Sequence, residues 1–325
     1  MASLAMKLLD HDPNGDETNS GAMDEQDIFD CISTMLGQEE HYLCHDYLSG
    51  QVAAALHNKK GDAIDESCRS KMCEWIFHVI DSTRLQRETA SVAMAFLDRF
   101  LCTNSQRASK ASSDRKEYQL AAMTCLYIAV KINEPFEMDA TLMSRLSRGL
   151  HSAEEITSLE YDIMIALQWK VNGPTPFQFV NYILELLPES AKSVAPTLYE
   201  HSHFQTELAI GDYAFVPHLR ESTIAVASIL NSLGVVEQDT FPFNECIQFV
   251  RSISNTFDLD IDSPMVNAVR ERLLESFAKS SGYELSQGFV IIPKQVVPLN
   301  DKINAFEESP ACVSKEMAIS LEEYM

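Results

Sequence analysis

The chain has 325 residues, enough for two domains at about 150 residues each, and its 46% hydrophobic and 22% charged residues exclude disorder of the whole chain. Acidic residues outnumber basic ones 48 to 25, and the formal net charge of -23 opposes a polyanionic backbone or an anionic lipid surface. Nucleic acid and membrane are therefore not expected as main ligands, and basic partners are favoured.

Residues 1–23 carry Pro, Gly, Asn and Asp without a sustained period and are expected to form a mobile arm. The start turns acidic at once, which predicts no secretory signal. Eight cysteines, at 31, 44, 68, 73, 102, 125, 246 and 312, form no CxxC pair and no Cys/His ligand spacing. They predict free thiols, a reducing intracellular compartment and no metal site.

Residues 24–65 are expected to hold a short leading helix and a link. Ile28, Cys31, Ile32 and Met35 fall at helical spacing, with acids in the first turn and Gly37 as the stop. From Glu66 the stripe Met72, Trp75, Ile76, Val79 and Ile80 marks one helix, and Val92, Ala93, Phe96, Leu97 and Phe100 mark the next. Arg69 extends the first stripe towards the core, and Asp98 is its expected partner. Residues 103–116 are polar and locally basic, and are read as a solvated loop.

The stretch YQLAAMTCLYIAVKINEP, Tyr118 to Pro135, is apolar or small on every face from Leu120 to Ile132. A helix of that kind is surrounded by protein, and it falls short of the roughly 18 residues of a membrane span. Lys131 at its end must reach water, a carboxylate or carbonyl oxygens. Pro135 stops it, Asp139 can cap a short helix with Leu142, Met143 and Leu146, and Ser152 with Glu155 is a capping box for another. On that last helix Glu160 shares a line with Ile156, Leu159, Ile163, Met164 and Leu167. It is expected to converge with Lys131, either as a buried internal ion pair or as a charged clamp that dries when a partner docks.

Asn172, Gly173, Pro174 and Pro176 mark a boundary, with Thr175 as N-cap. Five further helical patterns follow up to about residue 280, one of them the small and apolar HLRESTIAVASILNSLG. The expected fold is all-α: two tandem five-helix bundles over 66–170 and 175–280, then a flexible tail over 281–325. No Gly-rich phosphate loop, nucleophile elbow or HExxH spacing occurs, and His201 and His203 lie on different helix faces. Neither catalysis by this chain nor a cofactor is expected.

The segments WIFHVID, ETASVAMAFLDRFL, YQLAAMTCLYIAVKINEP and LEYDIMIALQW, in this order and spacing, resemble the cyclin box. TPFQFVNYIL and GDYAFVPHLRESTIAVASIL are similar to a second box, closest to D-type and plant-like cyclins. The resemblance implies two five-helix folds and an activating subunit of a cyclin-dependent kinase, controlling G1 or G1/S progression in nucleus and cytoplasm. It implies kinase contacts at Lys131 and Glu160, with Ile128, Ile132, Glu134, Met164 and Trp169 around them, and a structural ion pair in Arg69 and Asp98. Protein substrates and inhibitors are further implied partners. Met72, Trp75 and Gln119 suit the family's substrate-docking groove for Arg-x-Leu peptides, while Cys68, Lys71 and His78 depart from it. The LxCxE signal is not matched by Leu43-Cys44-His45-Asp46. Ser309-Pro310 is a candidate phosphorylation-linked degradation signal. The alternative in this family is a cyclin-like transcription adaptor, which needs a basic surface that the net charge opposes.

Overall fold

The computed structural model describes residues 23–49, 63–135, 138–237, 239–281, 283–286 and 290–293. All of the expected arm over 1–23 except Met23, most of the link, Cys312 and the Ser309-Pro310 dipeptide lie outside them.

The fold is all-α. The helices are α1 (Glu25–Glu39), α2 (Glu66–Thr83), α3 (Glu88–Leu101), α4 (Gln106–Ser113), α5 (Arg115–Asn133), α6 (Ala140–Leu146), α7 (Ala153–Ala166), α8 (Pro176–Glu185), α9 (Ala195–Gly211), α10 (Glu221–Leu233), α11 (Phe243–Phe257) and α12 (Pro264–Ser281). Their starts are written in side-chain chemistry. Asp24, Asp65, Ser105, Asp114, Asp139 and Thr175 each accept a backbone N–H in the first turn, and Ser152 with Glu155 closes a reciprocal capping box. Each such cap contributes about 1 kcal/mol.

In the first bundle, α5 is buried from Tyr118 through Val130, which is what an all-round apolar helix requires. It packs against α2, α3, α4 and α7, and it carries the first core together with Phe96, Phe100, Ile76 and Ile163. In the second bundle α10 has the same role. Ala225, Ala227 and Ser228 are fully buried there, and these small side chains let α9 and α12 approach it closely.

Three elements differ from the sequence reading. The polar stretch before α5 is not a loop: it forms α4, which buries Ala108, Ala111 and Ser112. Among the described residues the first bundle therefore has six helices. Its short apolar side was hidden among serines and lysines, and Ser105 at its N-cap is the one start signal. The leading helix runs past Gly37 to Glu39, because a glycine inside a helix costs only about 1 kcal/mol and need not end it. After α12, Tyr283–Ser286 pairs antiparallel with Val290–Pro293, so the region read as a tail begins with a hairpin whose second strand is the β-branched run Val290, Ile291, Ile292.

The leading helix also docks unexpectedly. Ile28, Ile32 and Met35 of α1 join the core of the second bundle, beside Phe179, Ile183 and Ile229. The Glu39 carboxylate accepts the Ser222 backbone N–H at 3.0 Å and its hydroxyl at 2.8 Å, covering the start of α10. From there the chain crosses to the first bundle, where Tyr47 donates to Asp98 Oδ1 at 2.6 Å.

Candidate functional site

Lys131 stands in the last turn of α5, where a cation complements the helix C-terminus. Glu160 stands beside the stripe Ile156, Leu159 and Ile163 that fastens α7 to the core. The structure brings them together: Lys131 Nζ donates to Glu160 Oε1 at 2.6 Å and sits 4.9 Å from the centre of the Tyr127 ring. Burial opposes the lysine's charge, but the bond to Glu160 and its negative charge outweigh this, and the Lys131 pKa lies above its ordinary value. The side chains are 44% and 19% exposed, so the pair is at the surface. An exposed pair is worth about 0.2–1 kcal/mol and is not a keystone of the core.

Apolar surface flanks the pair. Ile132 is 39% exposed and Trp169 61% exposed, and Met164 is half-buried between core and surface. Gln168 and Trp169 both take left-handed backbone, at φ of 55° and 58°, where the chain reverses after α7. Such a conformation costs a non-glycine residue roughly 1–2 kcal/mol; the Trp169 backbone N–H donates to Met164 O at 3.0 Å, and the side chain stands outward.

Two residues assigned to this face by resemblance are engaged elsewhere. Ile128 is 2% exposed, because it points from α5 into the core. Glu134 Oε1 accepts the Gln86 N–H at 2.9 Å and the Thr89 hydroxyl at 2.5 Å, and so closes the first turn of α3. In their place the surface offers Tyr161 and Ile165, 64% and 52% exposed on α7. The sequence held a signal for them: large apolar residues off the buried stripe of an amphipathic helix. The residues expected at the docking groove are buried as well. Met72, Trp75 and Gln119 are 1%, 8% and 2% exposed, packed within the first core.

Arg69 and Asp98 form a bidentate pair, with bonds of 2.9 and 2.8 Å, and both side chains are nearly inaccessible. Arg69 also donates to Ile210 O of α9 at 2.7 Å. The pair thus ties α2 to α3, as expected, and also joins the two bundles. Tyr213 completes the joint, its hydroxyl accepting the N–H groups of Tyr47 and Leu48 at 3.1 Å and donating to Asp46 at 3.0 Å.

Among the described residues no group of three or more His, Cys, Asp or Glu side chains is placed to hold a metal ion, and no helix is long and apolar enough to cross a membrane. The seven cysteines among them are free.

Two helical bundles joined through a buried ion pair, with a charged and apolar outer face, define an all-α, two-bundle protein. Residues 30–172 match the family model for the cyclin N-terminal domain. The G2/mitotic-specific cyclin-2 of Antirrhinum majus is 30% identical over 186 residues, 57% of this chain and 37% of that one. The G1/S-specific cyclin-D1 of Mus musculus is 24% identical over 216 residues, 66% of this chain and 69% of that one. The chain thus spans between about a third and two thirds of these relatives' lengths, and they divide between mitotic and G1/S-specific cyclins. A viral cyclin from herpesvirus saimiri superposes with a TM-score of 0.51 over 67% of this chain and 89% of its own, at 20% identity, a likeness of fold. Residues 30–172 thus match the cyclin N-terminal domain, and the chain is similar to cyclins in sequence and in fold.

Proposed function

We propose that the chain is a regulatory subunit that captures a cyclin-dependent protein kinase on the face around Lys131 and Glu160. The observation that carries this reading is a hydrogen-bonded charge pair lying at the surface, bordered by Ile132, Trp169 and Ile165. A helix presenting an apolar stripe would cover that border. Lys131 would donate to carbonyl oxygens at the helix end and Glu160 would accept backbone N–H groups, both gaining strength as water leaves. Positioning a kinase helix in this way sets the kinase's own Lys–Glu pair and metal-binding Asp for phosphoryl transfer, so the chain supplies geometry and the partner supplies chemistry.

Within that reading the subunit acts at G1 or G1/S, in nucleus and cytoplasm, and presents the kinase to protein substrates and inhibitors. The likeness to cyclin-D1 over 216 residues supports this subtype. Capture from a panel of purified cyclin-dependent kinases, scored by phosphate transfer to a Ser-Pro peptide, tests the reading. Activation of at least one kinase, lost with Lys131→Glu, is expected; no capture of any member would overturn it. A fluorescent fusion followed through synchronised division tests phase and compartment.

A further inference from the structure

Cys44 and Cys102 lie side by side where the chain crosses between the bundles. Cys44 follows the short turn Glu40–Tyr42 after α1. Its backbone is fixed to the second bundle, bridging Pro217 and accepting the His218 N–H at 2.8 Å. Cys102 ends α3, its N–H donating at 3.1 Å to the backbone oxygen of Asp98, the carboxylate of the buried joint. The Cys102 Sγ lies 3.5 Å from the oxygen of His45, the residue next to Cys44, and the two thiols are hydrogen-bonded to one another. Neither cysteine sits inside a helix, where the preceding turn excludes one class of rotamer, so both sulfurs are free to turn.

The two thiols are unlike. Cys44 is 8% exposed, while Cys102 is half-buried and reachable from solvent. The bonds from the Cys44 thiol and the His45 backbone hold Cys102 below its ordinary pKa, against the effect of burial. The same thiol bond, with burial and the Asp98 charge, pushes Cys44 well up. Since the thiolate is the nucleophile, Cys102 is the one that attacks an oxidant. Cys73 and Cys125 lie inside the first core, where burial pushes both thiols up, Cys73 to about 12, and they stay protonated.

We propose that Cys102 and Cys44 form a peroxide-sensitive dithiol that closes into a disulfide between the crossing segment and α3. The Cys102 thiolate attacks one oxygen of hydrogen peroxide. Its S–O bond forms as the O–O bond breaks, hydroxide leaves and takes up the proton shed by Cys102, and the sulfur is oxidised to a sulfenic acid. Cys44 Sγ then attacks that sulfur: the S–S bond forms, the S–O bond breaks, and the hydroxyl leaves as water with the Cys44 proton. Two thiols are oxidised and one peroxide is reduced to two waters. A small dithiol reverses the bond by exchange, and a reversible disulfide is the kind that suits a reducing compartment. The bond closes a loop of about 60 residues. Through the Cys44–His218 contact it also fastens the second bundle to α3.

The full chain, reduced and desalted, is treated with one equivalent of hydrogen peroxide, and the remaining thiols are alkylated before digestion. Mass spectrometry is expected to find the peptides of Cys44 and Cys102 joined within one chain, with two of the eight thiols lost and both restored by dithiothreitol. The oxidised chain should melt about 5 °C higher; a chain that carries the bond and melts no higher would refute the fastening. Cys44→Ser removes the resolving thiol and should leave a dimedone-reactive sulfenic acid on Cys102. Cys102→Ser should slow peroxide consumption by about tenfold or more. Bonds scattered among other cysteines, links formed only between chains, or all thiols intact after treatment would overturn the proposal, as would equal rates for Cys102→Ser and the parent. Mapping on the parent chain needs no variant, so a serine variant that fails to fold leaves the test in force.

Discussion

Lys131→Ala separates a docking surface from a structural strut. The pair it breaks is 2.6 Å long but open to water, with the lysine side chain 44% exposed. Its loss should cost the free chain no more than about 0.2–1 kcal/mol. For a protein of this size that moves Tm by no more than about 2 °C. In the proposed kinase complex the same site would be dry, and Glu160 would be left as a buried carboxylate facing a partner without its lysine. Truncating one member of a desolvated charge pair costs about 2–5 kcal/mol, a Kd weakened from roughly thirtyfold to several thousandfold. Calorimetric melting of the free variant, beside isothermal titration with the captured kinase, reads both numbers. A Tm drop of about 10 °C or more with unaltered affinity would refute the reasoning, since it would make the pair a strut with no outward role.

Asp98→Ala should behave in the opposite way. It strands the buried Arg69 guanidinium, costing about 3–5 kcal/mol in urea unfolding, and the double change Arg69→Met/Asp98→Leu should recover much of that loss; no recovery would show that shape, not charge, holds the joint. Trp169→Gly removes an exposed ring from left-handed backbone and should stabilise the free chain by about 1 kcal/mol in thermal melts while weakening kinase capture; a less stable variant would mean that the ring packs in solution. Burial, with Glu39 and Asp98 nearby, pushes Glu221 up to about 8. The unfolded chain releases this proton near the ordinary carboxylate pKa of about 4.3, so the stability Glu221 contributes is full below that value and falls as pH rises towards 8. Glu221→Gln should flatten the decline of Tm between about pH 5 and pH 8; an unchanged slope would place the titration elsewhere.

The elements visible in the sequence were those whose physics is local. The capping box at Ser152 and Glu155, the Thr175-Pro176 start and the all-round apolar α5 declare themselves within a few residues. The convergence of Lys131 with Glu160 was legible because an ammonium and a carboxylate on apolar lines both need a partner. What was illegible depends on neighbours. Helix α4 has too few apolar residues to announce itself and is held because Ala108 and Ala111 join the first core, with the helix packed on α3 and α5. Nothing in the run from Ile28 to Met35 says that it will cross to the second bundle. Glu134 reads as a free acid after a helix until Gln86 and Thr89 are found at its oxygens. The resemblance named Ile128 as a contact, and burial alone decides that it is not accessible, while Tyr161 and Ile165 are.

The most direct measurement is capture by the charge-swapped chain, Lys131→Glu with Glu160→Lys. The internal pair survives the exchange, so melting should be unchanged within about 1 kcal/mol. Against a kinase helix, however, donor and acceptor now face the wrong ends of the backbone, and capture should be lost. A swapped chain that still binds and activates its kinase at the original affinity would contradict the account.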